Sequence, residues 1–316
     1  MTSSNGIDRI GPAISASAFP DARRARMRGT AILLLAALAW GVGNVSQKTI
    51  LDHLDAYAAN GITCLVGAAV LYPFARREPS APADGSFGLL LQVALAFTLA
   101  ATLMQVGYGH TTVTNAGFLV NTAAVLTPVL GWLLYRQRPP FLIWPASLTT
   151  LAGVFLMGGG RLSSLVYGDL LILAAALVFA VWTLLVAQYV IRYGRPCFLT
   201  VMQLLFCGIV CIAISGYLNG VPDVSAVRAA LPEIVMLGVV SKGLAYVLMA
   251  FGLRYVSAAT GAVLVSAEAV FGAACAIVFL GESPLLTQVI GGFVIIGGVV
   301  LASCAPARAG DDPRIG

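Results

Sequence analysis

Ten apolar runs, at about residues 29–49, 57–75, 86–108, 113–135, 140–158, 167–190, 197–217, 232–252, 258–280 and 285–304, account for most of this 316-residue chain. Each is close to the roughly 20 apolar residues that one helical crossing of a bilayer requires. Inside hydrocarbon there is no water to bond to the backbone, so every run is expected to be helical. The composition points the same way, with 59% hydrophobic residues, 10% charged residues and a mean hydropathy of +0.93. Soluble domains carry about a quarter charged residues, and disorder needs low hydrophobicity with high net charge, so both classes are excluded. The expected fold class is an all-α membrane protein with ten transmembrane helices. The thinnest separations fall near 109–113 and 281–284, where only Gly, His and Thr or a Gly-Glu-Ser-Pro turn divides two runs.

The charges set the expected orientation. The first 28 residues are polar and hold Arg9, Arg23, Arg24, Arg26 and Arg28; the run behind them is too long for a signal-peptide core and is expected to remain as the first span. With the N-terminus inside, the inner segments carry 14 of the 18 Lys and Arg residues, adding Arg76, Arg77, Arg136, Arg138, Arg192, Arg195, Arg254, Arg308 and Arg314 to those five. Lys48, Arg161 and Arg228 lie outside, and Lys242 is left within a span. The positive-inside rule then places both termini, 1–28 and 305–316, in the cytoplasm of a multi-pass protein of the cell inner membrane. The net charge of +5 does not indicate a nucleic-acid partner, because the basic residues sit between apolar runs rather than on one face of a soluble domain.

Little in the chain suggests a metal, a cofactor or a catalytic centre. The six cysteines form no CxxC pair and have no nearby histidine, and they read as packing residues. His53 and His110 lack ligand spacing, and no GxxxxGK[ST] loop is present to bind ATP. A membrane enzyme would need acids, histidines or nucleophiles converging near one interface, and the few ionisable side chains do not converge in sequence.

An internal repeat narrows the class further. An offset of 145 aligns residues 97–157 with 242–302 without a gap, with thirteen identities over 61 positions that include Met104/Met249, Gly107/Gly252, Pro139/Pro284 and Gly153/Gly298. The first helices of the halves match more loosely at an offset of 139, with Gly29 over Gly168 and Trp40 over Phe179. The unit is five helices, an odd number, so the second copy enters the membrane from the opposite side. Domain bounds of 29–158 and 168–304 follow. Inverted repeats of this kind belong to secondary transporters, whose substrates bind near the midplane between the halves. A channel would more often show a symmetric oligomeric pore.

Several motifs resemble the drug/metabolite transporter superfamily, in particular the ten-helix EamA-type permeases, and within them exporters similar to the aromatic amino acid exporters. They are Trp40-Gly41-Val42-Gly43-Asn44 in the first span, Leu126-Thr127-Pro128-Val129 in the fourth, Gly168-Asp169-Leu170 at the start of the second half, Ser266-Ala267-Glu268-Ala269-Val270 followed by Leu280-Gly281-Glu282 in the ninth, and Gly291, Gly292, Gly297 and Gly298 in the last. The resemblance spans roughly residues 29–304. It implies a monomer in which helices 1, 3, 4, 6, 8 and 9 line a central cavity while 5 and 10 lie outside, exporting amino acids and related metabolites by alternating access, with export of drugs or other organic cations, which would use Glu268 and the aromatic lining without Lys242, as the alternative. The chain departs from the family pattern at Thr63 or Cys64, where arginine is common, at Ala269, where proline is common, and at Lys242, where a small or hydroxyl residue is commoner.

Lys242 and Glu268 are the clear charges deep within spans. A charge at the bilayer centre costs at least about 2.5 to 3.5 kcal/mol on insertion scales, so each requires partners. Both lie about ten residues into their helices, roughly 15 Å deep at 1.5 Å per residue, and so share the midplane. Three readings stay open: an ion pair between helices eight and nine, a substrate site that takes a carboxylate and an ammonium, and proton coupling through Glu268. Tyr246 shares the face of Lys242, and the repeat-equivalent face of helix three presents Met104 and Tyr108. Trp40, Asn44, Asn121 and Trp182 are expected at the cavity, and Gln203 in packing. Pro128 removes a backbone bond in mid-helix and is expected as a hinge or a fixed kink, while the last-span glycines permit close packing. The expected partners are therefore a small-molecule substrate, the lipid bilayer and, on the third reading, protons.

Overall fold

The computed structural model describes residues 18–79, 86–136, 138–159, 166–280 and 284–305. Arg9, Arg161, Arg308, Arg314 and the Gly281-Glu282 pair lie outside the described residues. The first half contains α1 (Ala18–Thr49), α2 (Ala56–Ala75), α3 (Ser86–His110), α4 in two pieces (Val113–Val120 and Ala123–Tyr135) and α5 (Ile143–Met157). The second contains α6 (Tyr167–Tyr193), α7 (Pro196–Leu218), α8 in three pieces (Leu231–Val235, Met236–Ala245 and Tyr246–Gly252), α9 in two (Ala258–Val265 and Glu268–Leu280) and α10 (Leu286–Cys304). Among the described residues nine helical segments are long and apolar enough to cross a membrane, and the tenth, α5, is apolar but has 15 residues.

Local chemistry places the ends. Thr112 and Ser257 stand before α4 and α9, and their hydroxyls accept from the backbone N–H groups of Asn115 and Thr260 at 3.1 and 3.2 Å. Asp55 does the same for α2, accepting from Tyr57 and Ala58. The first turn of α7 is capped from a distance: Glu78 beyond α2 accepts from the N–H groups of Cys197 and Phe198 at 2.9 and 2.8 Å. At the tight turn from α6 to α7, Gly194 takes a left-handed conformation with φ 64°, and Pro196 opens the next helix.

The inverted repeat is written into the backbone. In α4 the amides of Thr122, Ala124 and Val125 bond three residues back, to Leu119, Asn121 and Thr122; in α9 those of Ala267, Ala269 and Val270 bond to Leu264, Ser266 and Ala267. Every atom pair of the first set maps onto the second by the 145-residue offset. Each crossing is thus interrupted at the same place by a tighter turn. The caps obey the same offset, Thr112 matching Ser257.

Small residues let matching helices touch. A Cβ on Gly29 would stand 3.3 Å from the carbonyl oxygen of Gly252, joining α1 to α8, and one on Gly168 would stand 2.9 Å from that of Gly107, joining α6 to α3. α5 and α10 pack along each other, and a Cβ on Gly153 would fall 2.7 Å from the Gly291 carbonyl oxygen. Without a hydrophobic drive between helices in lipid, such close backbone contact is a principal source of association.

Two features lie beyond what the apolar runs mark out. α1 begins at Ala18, ahead of the apolar run, since helical bonding runs back through the arginine-bearing turns that precede it. Every span is helical, as expected, but not uniformly so: α4 and α9 are interrupted, and the ten residues Met236–Ala245 of α8 adopt the wider π-helical form. The apolar pattern carries no trace of either, because it reports burial in lipid and not hydrogen-bond register.

Candidate functional site

Between the halves lies a cavity of about 110 Å³ whose walls come from α1, α3, α4, α6, α8 and α9. Trp40, Asn44, Met104, Tyr108, Asn121, Trp182, Lys242, Tyr246 and Glu268 all line it, so the structure brings these sequence-selected residues together. Pro128 does not reach it; it lies buried inside Ala123–Tyr135, and the interruption of α4 falls upstream at Asn121–Thr122.

Aromatic rings make most of one wall. Tyr246 meets Trp40, Phe97 and Trp182 edge to face, with centroids 5.0, 4.9 and 5.5 Å apart, and Trp182 stands 5.9 Å from Phe179. Edge-to-face pairs are worth about 0.5–1.5 kcal/mol beyond their buried area, so the group holds its shape. Two hydrogen bonds orient the indoles: Trp40 Nε1 donates to the carbonyl oxygen of Ser241 at 3.2 Å, and Trp182 Nε1 donates to Gln203 Oε1 at 2.8 Å. Gln203 therefore acts in packing, by fixing a cavity side chain.

Lys242 is 2% exposed and belongs to the π-helical stretch. Its Nζ donates to Asn60 Oδ1 at 3.1 Å and lies 5.9 and 5.8 Å from the ring centroids of Phe97 and Tyr246, where the ring faces attract a cation. Asn60 is positioned in turn by the thiols of Cys207 and Cys211, each 3.5 Å from its Nδ2. Cys64, Cys207 and Cys211 are buried and free, and pack around that amide.

Glu268 begins the second piece of α9, at a helix N-terminus whose unpaired N–H groups favour a carboxylate. The side chain of Asn121, at the matching interruption of α4, faces it. No ion pair joins Glu268 to Lys242 among the described residues. Of the three readings open in the sequence, the helix-tying ion pair is thereby corrected: Lys242 has turned to Asn60 on α2, whose position deep in that span sequence reasoning did not connect with it.

Above the cavity, Lys48 Nζ donates to the carbonyl oxygens of Tyr108 and Thr111, where a cation suits the C-terminal end of α3. Lys48 is thus part of the last turn of α1 and not a free loop cation. Thr111 donates to Asp169, which is 1% exposed and also accepts from the N–H of Val166 to cap α6.

A family model, the EamA-like transporter family, matches this chain twice, over residues 27–159 and 166–304. The chain belongs to the EamA-like transporter family. It is a multi-pass membrane transporter. Similar proteins include an uncharacterized transporter of Archaeoglobus fulgidus, 25% identical over 271 residues and covering 86% of this chain and 84% of its own, and a second from the same organism, 27% identical over 290 residues and covering 86% and 96%. The uncharacterized transporter YdfC of Bacillus subtilis is 27% identical over 209 residues, covering 65% of this chain and 67% of its own. A solved crystal structure shares the fold at 17% identity, with a TM-score of 0.71 over 87% of this chain and 96% of that one.

Sequence reasoning left out Gly43, Gln47, Phe179, Thr183, Ser241 and Ser266 from the EamA cavity wall. A signal existed for Gln47, three and seven residues beyond Asn44 and Trp40 on one face of α1. For Ser241 there was none, because a π-helical turn advances the chain by a different angle from the one that periodicity assumes.

Proposed function

We propose that the protein is a secondary carrier that exports amino acids and related small metabolites by alternating access through the central cavity. The observation that carries this reading is the presence of Lys242 and Glu268 in one cavity without an ion pair between them. A substrate with a carboxylate and an ammonium group complements that pair, and the aromatic wall accommodates its side chain. Movement of the two interrupted helices around the midplane supplies the alternation. The carrier acts as a monomer in the cell inner membrane, with both termini cytoplasmic in keeping with the 14 inner and 3 outer basic residues. Glu268 is the group through which protons would couple to export.

A second reading, export of organic cations, is favoured by one contact. Lys242 is engaged by Asn60 and two rings, which leaves Glu268 as the freer charge beside an aromatic wall. Uptake of radiolabelled amino acids into liposomes holding the purified protein, with and without a pH gradient, decides between the two. Saturable uptake lost in both Lys242→Ala and Glu268→Gln supports the zwitterion carrier. Transport of organic cations alone, surviving Lys242→Ala, establishes the second reading in its place.

A further inference from the structure

Among the described residues that line the cavity, Ser241 carries a fully enclosed side-chain oxygen without a hydrogen-bond partner. Its carbonyl oxygen accepts from Trp40, yet its hydroxyl, in a residue 5% exposed, is enclosed and has no partner. Buried hydroxyls are normally bonded, since leaving one unmade costs free energy, and an exception calls for a cause. Its surroundings supply one. Ser241 Oγ sits in the notch left by Gly43, where a Cβ would come within 2.0 Å of it. The next residue in the chain, Lys242, lines the same cavity, and its ammonium has three donors and spends one on Asn60. The side-chain amides of Asn44 and Gln47, which line the same cavity, make no hydrogen bond among the described residues. Spare donors therefore gather along the α1–α8 side of the cavity, and a carboxylate accepts several at once.

We propose that Ser241 is a specificity-determining residue: its hydroxyl donates to the carboxylate of a substrate attracted by Lys242 and so selects carboxylate-bearing substrates over the corresponding bare amines. The inference rests on the amino-acid reading above and assigns the group that enforces it. Lys242 supplies charge, which is weakly directional, whereas the hydroxyl adds a fixed direction. Because Oγ is enclosed in this conformer, the carboxylate reaches it when α1 yields at Gly43, where no side chain stands against α8.

The test uses the full-length protein in liposomes and, as probes, the proteinogenic L-amino acids, each paired with the amine left by its decarboxylation. For the amino acid that the wild type moves fastest, Ser241→Ala is expected to raise KM about tenfold while leaving kcat and uptake of the paired amine unchanged. Ser241→Cys, which keeps a weaker donor, is expected to fall between the two and serves equally if the alanine variant does not fold. Equal losses for acid and amine, or no loss for either, would overturn the role of Ser241 while leaving the amino-acid reading intact. A wild type that moves amines and no amino acid overturns that reading, and the assignment of Ser241 with it.

Discussion

α3 and α8 occupy equivalent places in the two repeats, yet their backbones differ. α3 runs as one regular helix from Ser86 to His110, whereas α8 carries ten π-helical residues, Met236–Ala245, opposite the regular stretch 91–100. The offset sets Lys242 against Phe97, Ser241 against Ala96, Tyr246 against Ala101 and, in the next helices, Glu268 against Ala123. The helix caps and glycine contacts repeat, while both charged side chains of the cavity, Lys242 and Glu268, belong to the second copy. The two partners even meet, as the ammonium of Lys242 lies 5.9 Å from the ring of its own counterpart Phe97. The close glycine contacts between helices recur in both halves.

Replacing Lys242 by the residue of the first copy, Lys242→Phe, attacks the contrast directly. Uptake at subsaturating substrate is expected to fall by at least about 100-fold, as when a buried charge loses its role against an opposite charge. The thermal unfolding midpoint in detergent should change little by comparison; a carrier that keeps wild-type uptake would show that the asymmetry at this position is ornamental. The symmetric side of the comparison is sharpened by Gly153→Ala and Gly298→Ala. Each forces a methyl against backbone, 2.7 Å from the Gly291 carbonyl oxygen in one case and 2.9 Å from the Ala146 carbonyl oxygen in the other. Equal destabilisation of about 1–3 kcal/mol is expected from overpacking, read from unfolding of the purified variants. Smallest is the effect of Thr112→Ala and Ser257→Ala, each removing one N-cap at a cost of about 1 kcal/mol. A marked inequality within either pair would show that the two halves do not bear load alike.

Much of the scaffold is legible in the residues. Thr112 and Ser257, Gly107 and Gly252, and Gly153 and Gly298 can be matched by offset alone, and structurally each pair caps or packs in the same way. The site is less legible. Trp40, Asn44 and Lys242 stand out because polar or amphipathic groups are costly in lipid and need a cavity or a partner. Which partner each finds is another matter: Asn60, on α2, takes the bond from Lys242 that depth alone would have assigned to Glu268.

Sequence by itself determined the helical membrane class, the number of crossings and the five-plus-five repeat, because burial in hydrocarbon acts on each span separately and leaves its mark in composition. Only the tertiary structure decided the interruptions at Asn121–Thr122 and Ser266–Ala267, the π-helical register of α8, and the separation of Lys242 from Glu268. Those depend on which backbone amides reach which carbonyls and which side chains meet across helices, relations between distant residues that no local pattern of apolarity records.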